Sequence, residues 1–362
     1  MSEFNNHMLV LARDSRALTQ AELAERAKIG QGTLSKYETG LLEPPESFVR
    51  ELGSVLNYPV EFFLQPGHPY GFPPFHYRKR KKLSVKSLGR IVAEMNIRRM
   101  HIARMLVSYV MRGNRFIPEI DRDEYQGRTR KPFSVEEAAR TVRENWLLPS
   151  GPIPNMVQLI EDNGGIVVPC DFGSDLIDAM SQRIDGLPAL FFVNVNAPAD
   201  RVRHTLAHEL AHMVLHTTSF RDDEEMEKEA DEFAGAFLLP ADELRPQLRR
   251  FDLRHLANLK AHWKVSMAAL AVRADRLHLI TPYQSKMFWI EMSKLGYRKR
   301  EPVELPPEKP ALLQQMVQYH RRELGYSTSD MARMLCLTEA EFVAMYGEKD
   351  SGASRRPNLR IV

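Results

Sequence analysis

The chain of 362 residues exceeds one average domain, and its 43% apolar content is enough for packed cores. A balance of 50 Lys+Arg against 47 Asp+Glu excludes a polycation spread over the whole length, and two distant cysteines, Cys170 and Cys336, without a CxxC pattern exclude a disulfide framework and a thiolate zinc site. No apolar run approaches a membrane span and MSEFNNHMLVLARDSR lacks a leader pattern, so a reduced, cytoplasmic protein with no membrane partner is expected.

In chain order, short amphipathic helices come first. HMLVLARDSRA is followed by TQAELAERA, where Thr19 and Glu22 have capping-box spacing, and by QGTLSKYETG, closed by Gly40. SFVRELGSVLN and the residues after Pro59 give a fourth and a fifth helix. Residues 1–65 therefore form a first domain, and the basic, Pro-rich 66–82 a linker. Helical periodicity at 83–112 and 134–147, separated by the charged stretch 119–131, defines a connector over 83–150.

A third domain, 151–300, opens with a helix, a Gly164-Gly165 turn and a short strand. LPALFFVNVN (187–196) is the best strand of the chain, expected at a sheet edge where it would line up a substrate backbone. Helices follow at 200–216, 222–238, 252–278 and 282–295. Residues 301–362 begin with a Pro-rich linker and end in a helical module. Its YSTSDMARMLCLTEAEFVAMYG aligns with the first domain when Ser327 is placed on Thr19, but it lacks the basic and amide residues of that domain, which favours a packing or dimerisation role. The fold class expected is α+β and mostly helical, with one small sheet.

Two stretches carry chemistry. In the first domain, a second helix of a helix-turn-helix would enter a DNA major groove with Gln31, Thr33, Ser35 and Lys36 presented, while Leu34 and Tyr37 face the core. Gln20 is placed to bond a phosphate. TQAELAERAKIGQGTLSKYETG resembles the signature of lambda-repressor-like, xenobiotic-response-element (XRE) DNA-binding domains over about residues 7–65. Gly32 and an acidic 38–51 depart from that pattern. The resemblance implies an operator in double-stranded DNA and binding as a homodimer.

The second stretch is RHTLAHELAHMVLH (203–216), with His208, Glu209 and His212 in the order H-E-x-x-H. Residues at i and i+4 share a helix face, so the two imidazoles can close on one Zn²⁺ at roughly 2 Å, with Glu209 beside them as general base. His216 repeats the spacing and is expected to pack rather than ligate. Glu227 and Glu229 flank the apolar face of the next helix by similar angles, and periodicity alone does not choose a third ligand between them. The two segments together, with EKEADEFAGAFLLP, resemble the ImmA/IrrE family of metallopeptidases over about residues 155–310, a family similar to the gluzincins. That resemblance implies Glu227 as the third ligand and Asp231 as a partner of one ligating histidine, with Glu229 as the fallback. It further implies a regulator whose zinc endopeptidase domain cleaves a repressor, an antitoxin or itself in a stress or mobile-element response. The other possibility is a non-catalytic DNA-binding repressor or antitoxin whose zinc domain is a sensor or docking module. His204, His262 and Tyr283 are candidates for an oxyanion-stabilising group by residue type only.

Overall fold

The computed structural model describes residues 3–71, 83–111, 116–130, 132–174, 176–216 and 222–347. Most of the basic, Pro-rich linker, including its run of five basic residues at 78–82, lies outside them. The chain divides into two compact units that do not follow chain order: Met1–Pro69 with Met100–Tyr109 and Gln314–Val362, and Tyr70–Arg99 with Val110–Leu313.

The first unit begins with α1 (Asn6–Ser15), α2 (Gln20–Arg26), α3 (Gln31–Glu38), α4 (Glu46–Leu56) and α5 (Val60–Phe63). The capping box is formed: Thr19 Oγ1 accepts from Glu22 N at 3.2 Å, and Glu22 Oε2 accepts from Thr19 N at 2.6 Å. Leu9, Leu23, Leu34, Leu52, Leu56 and Phe63 are fully buried between these helices. Each such side chain contributes about 1.5–3 kcal/mol of burial free energy.

The same unit takes in the end of α6 (Val85–Leu106) and most of α16 (Leu312–Arg322), and then α17 (Thr328–Leu335) and α18 (Glu339–Tyr346). The weak sequence repeat is a structural one. Ser327 and Asp330 form a capping box as Thr19 and Glu22 do. Cys336 (φ 54°) takes the left-handed conformation that Lys28 (φ 53°) takes in the first copy. Leu337 N bonds Ala332 O at 2.9 Å where Ile29 N bonds Ala24 O at 3.0 Å. The second copy packs inside the unit: Glu341 accepts from Arg16 at 2.9 Å and from Asn57 at 2.8 Å, and Tyr346 Oη lies 2.8 Å from His101 Nδ1.

The second unit holds α7 (Arg122–Thr129), α8 (Val135–Asn145), α9 (Met156–Asp162) and a three-stranded sheet. Its strands are β1 (Gly165–Cys170), β2 (Ala179–Gln182) and β3 (Ala189–Asn194), in the order β1-β3-β2. β1 is parallel to β3 (Gly165 opposite Ala189), and β2 is antiparallel to it (Met180 opposite Phe192). The expectation for LPALFFVNVN is corrected here: it forms the central strand, not an edge. Every residue of β3 is buried, as an apolar run without alternation demands of a strand flanked on both sides. The edge beside the next helix is β2, which periodicity did not reveal. A Cβ on Gly165 would stand 2.5 Å from Ile160 Cγ2, so only glycine lets β1 start this close behind α9.

After β3 come α10 (Ala199–Leu215), α11 (Asp223–Leu238), α12 (Ala241–Leu244), α13 (Leu253–Trp263), α14 (Met267–Arg276) and α15 (Pro282–Lys294). The expected single helix 252–278 is broken, because Lys264 turns left-handed (φ 56°) and Ser266 caps a new start by accepting from Ala269 N. The charged stretch 119–131 contains the short helix α7, capped by Asp121 on Asp123 N and Glu124 N. α10 and α11 pack on each other and on β2 and α8, with Leu206, Leu210, Val214, Phe233 and Phe237 fully buried.

The Pro-rich stretch 301–310 is fastened by glutamates at distant helix N-termini. Glu301 accepts from Met267 N (2.7 Å) and Ala268 N (3.0 Å), and Glu308 from Met156 N (2.8 Å) and Val157 N (3.1 Å). Each carboxylate satisfies amides that a helix start leaves open and sits at the positive end of the helix dipole. Glu308 also pairs with Arg203, whose other arm donates to Ile153 O at 2.7 Å.

Candidate metal centre and DNA-facing helix

α10 brings His208 and His212 to one face, one turn apart and almost fully buried. α11 starts with Asp222 capping Glu224 N and three further acids in its first turn, an arrangement that suits the helix dipole. It then runs back along α10 and places Glu227 opposite the histidines. His208 Nε2 and His212 Nε2 are 3.2 Å apart, and the Glu227 carboxylate oxygens stand 3.7 Å and 3.5 Å from them. Donor atoms on a tetrahedral ion with bonds near 2.0–2.1 Å are separated by about 3.3 Å. The three side chains stand near that spacing, and among the described residues they are the one group of three such donors.

The hydrogen bonds behind the donors fit as well. Asp231 Oδ1 lies 2.8 Å from His208 Nδ1, and a carboxylate only accepts, so the proton sits on Nδ1 and Nε2 is left to face Glu227. Burial opposes a charge on His208, yet its bond to Asp231 and the Glu227 carboxylate facing it push its pKa up to about 9. Burial likewise works to raise Glu227, but the two imidazoles facing it hold its carboxyl well below the usual carboxylate range.

Glu229 is directed elsewhere: its Oε2 accepts from His216 Nε2 at 3.0 Å and pairs with Arg122. His216 in turn bonds His212, Nδ1 to Nδ1, at 2.9 Å. Glu209 is fully buried, and Ser181 of β2 donates to its Oε2 at 2.7 Å. Nothing in the sequence pointed to Ser181, because its role depends on which strand lies beside α10. Of the three oxyanion candidates, His262 and Tyr283 are exposed on α13 and α15, Tyr283 to 71%. His204 lines a cavity of about 880 Å³ together with Asp231, Arg276 and Trp289, and burial pushes its pKa down to about 4.

In the first unit, Gln31 and Lys36 are exposed on α3, Thr33 and Ser35 half-buried, and Leu34 and Tyr37 buried. The start of α3 has no side-chain cap, and Thr33 N bonds Gly30 O at 2.9 Å. A Cβ on Gly32 would meet nothing within 4 Å, so this residue leaves space on the presented face. Gln20 donates to Glu38 Oε2 at 2.8 Å, and Arg13 donates to Glu38 Oε1 at 2.6 Å. Its amide is thereby fixed at the head of α2.

Comparison with protein families matches residues 9–63 to the helix-turn-helix family and residues 161–275 to the peptidase family described as the IrrE N-terminal-like domain. No curated protein matches the chain. The chain thus carries an XRE-type helix-turn-helix followed by an IrrE/ImmA-like peptidase-family domain, which makes it a DNA-binding regulator with a peptidase-like domain. Among the described residues no helix is long and apolar enough to cross a membrane.

Proposed function

We propose that this regulator is a zinc-dependent endopeptidase that cleaves a repressor, an antitoxin or itself, in a stress or mobile-element response in the cytoplasm, and that it binds its operator as a homodimer. The observation that carries the metal is the spacing of His208 Nε2, His212 Nε2 and the Glu227 carboxylate, with Asp231 orienting the first ring. Zinc held there supplies Lewis acidity, which makes water a stronger acid and a peptide carbonyl a better electrophile. Glu209, next to His208 in the chain, is the base that takes the proton from the attacking water and returns it to the leaving amine. Ser181 fixes one Glu209 oxygen by donating to it. β2 offers its outer edge to a substrate backbone, since its other edge is taken by β3. On α3, Gln31, Thr33, Ser35 and Lys36 read the operator and Gln20 holds a phosphate.

A second reading draws on the full burial of Glu209: a repressor or antitoxin whose zinc domain senses or docks without turnover. The two part on one comparison. The Glu209→Gln protein should keep stoichiometric zinc and its DNA binding but lose cleavage of co-expressed neighbouring proteins and inducibility of its promoter. If inducibility is unchanged, turnover is not the mechanism. If purified wild type holds no zinc, the metal reading fails.

A further inference from the structure

His212 is held from behind by a chain of groups that the motif does not contain. Arg122, on α7, pairs with Glu229 on α11; Glu229 Oε2 stands 3.0 Å from His216 Nε2; and His216 Nδ1 stands 2.9 Å from His212 Nδ1. All four are shielded, with side-chain exposures of 15% for Arg122, 13% for Glu229 and 0% for both histidines. The directions of these bonds follow from what each group can do. An ionised carboxylate only accepts, so the His216 proton lies on Nε2, toward Glu229. A neutral imidazole with its proton on Nε2 presents a lone pair at Nδ1. That lone pair takes the proton of His212 Nδ1, and the His212 lone pair is then at Nε2, facing His208 and Glu227. Reversing any one bond would put a proton on His212 Nε2, inside the cluster.

From this chain we infer that His216 is a positioning residue for metal binding: with Glu229 and Arg122 it fixes the tautomer and ring orientation of His212 as Asp231 does for His208. The inference rests on the zinc site of the proposed function. It assigns the residue at the C-cap of α10 a part in metal affinity, and it gives the connector helix α7 a direct link to the metal centre. Outer partners of ligating histidines are typically worth 10–100-fold in metal affinity.

The test is zinc affinity of the full chain, by competition with a chromogenic chelator, together with the visible spectrum of the cobalt(II)-substituted protein. His216→Phe keeps the ring volume and removes the acceptor; it should weaken zinc binding about 10–100-fold and change the cobalt bands. His216→Asn restores an acceptor near the Nδ1 position and should recover most of the affinity. If the role were packing alone, Phe would serve and Asn would not, and that result overturns the inference. Glu229→Met, which frees His216 to turn its proton toward His212, should lose affinity by about tenfold even if His216→Phe does not fold; unchanged affinity there overturns the inference equally. Wild type that binds no zinc removes the functional reading itself, whereas tight binding by wild type and both Phe and Met variants removes only the relay.

Discussion

The Nε2 atoms of His208 and His212 lie 3.2 Å apart, close enough to share one proton or one metal ion. Which of the two is present is a matter of competition.

The pKa of His208 is raised to about 9 by Asp231 and Glu227, so at neutral pH the metal-free site carries a proton that zinc must displace. Apparent zinc affinity should therefore rise with pH, by up to about tenfold per unit, and level off near pH 9. The metal-free fold has the opposite sign. A raised histidine pKa adds stability that is complete below the unfolded value near 6.5 and is lost as pH rises through about 9. Chelator competition and urea melts between pH 6 and 10 check both; a flat affinity profile would show that no proton occupies the site.

Glu227 and Glu229 are two residues apart and do different work. Glu227→Ala should abolish zinc retention through dialysis. Asp231→Ala should leave zinc bound, weakened by about 10–100-fold. Elemental analysis and chelator competition read the two, and equal retention by Glu227→Ala and wild type would move the third ligand elsewhere.

On α3, Lys36→Ala should weaken DNA binding about equally for all sequences and lower the salt dependence by about one counterion, as loss of a phosphate contact does. Gln31→Ala should cost about 1–3 kcal/mol on the selected operator and relax the preference at one base pair. Gel shifts on sites selected from random DNA, at several salt concentrations, separate the two. Identical salt slopes and sequence preferences for both variants and wild type would place the contact away from α3.

Phe342 is buried in α18 at the position that Leu34 holds in α3. Phe342→Ala should destabilise the first unit by about 3–5 kcal/mol, measured by denaturant unfolding. Removing the carboxylate that Arg16 and Asn57 share, in Glu341→Ala, should cost about 1–2 kcal/mol.

Much of this was legible in the sequence because it is local. The capping box at Thr19, the α10 face with both histidines, the turn before β1 and the helical repeat at Ser327 each depend on residues a few positions apart. What sequence alone left open depends on neighbours distant in the chain. β2 is four residues long, too short for alternation to register, and its place beside α10 is what brings Ser181 to Glu209. Glu227 and Glu229 flank their helix symmetrically; only the direction in which α11 returns along α10 sends one to the histidines and the other to His216 and Arg122. The strand before α10 was legible as a strand, but its apolar run meant burial on both sides, which sheet order alone can express.

The two copies of the helix-turn-helix differ where it counts for DNA. Gln31, Thr33, Ser35 and Lys36 on α3 are matched on α18 by Glu339, Glu341, Val343 and Ala344. Two carboxylates and two aliphatic groups would repel or ignore a phosphate backbone, and Glu341 is already committed to Arg16 and Asn57. On the proposed reading, one copy reads DNA and the other braces. On that reading an operator with two half-sites needs two molecules, because duplication within the chain has not supplied a second reading head, and occupancy should then rise with the square of protein concentration wherever the free protein is monomeric.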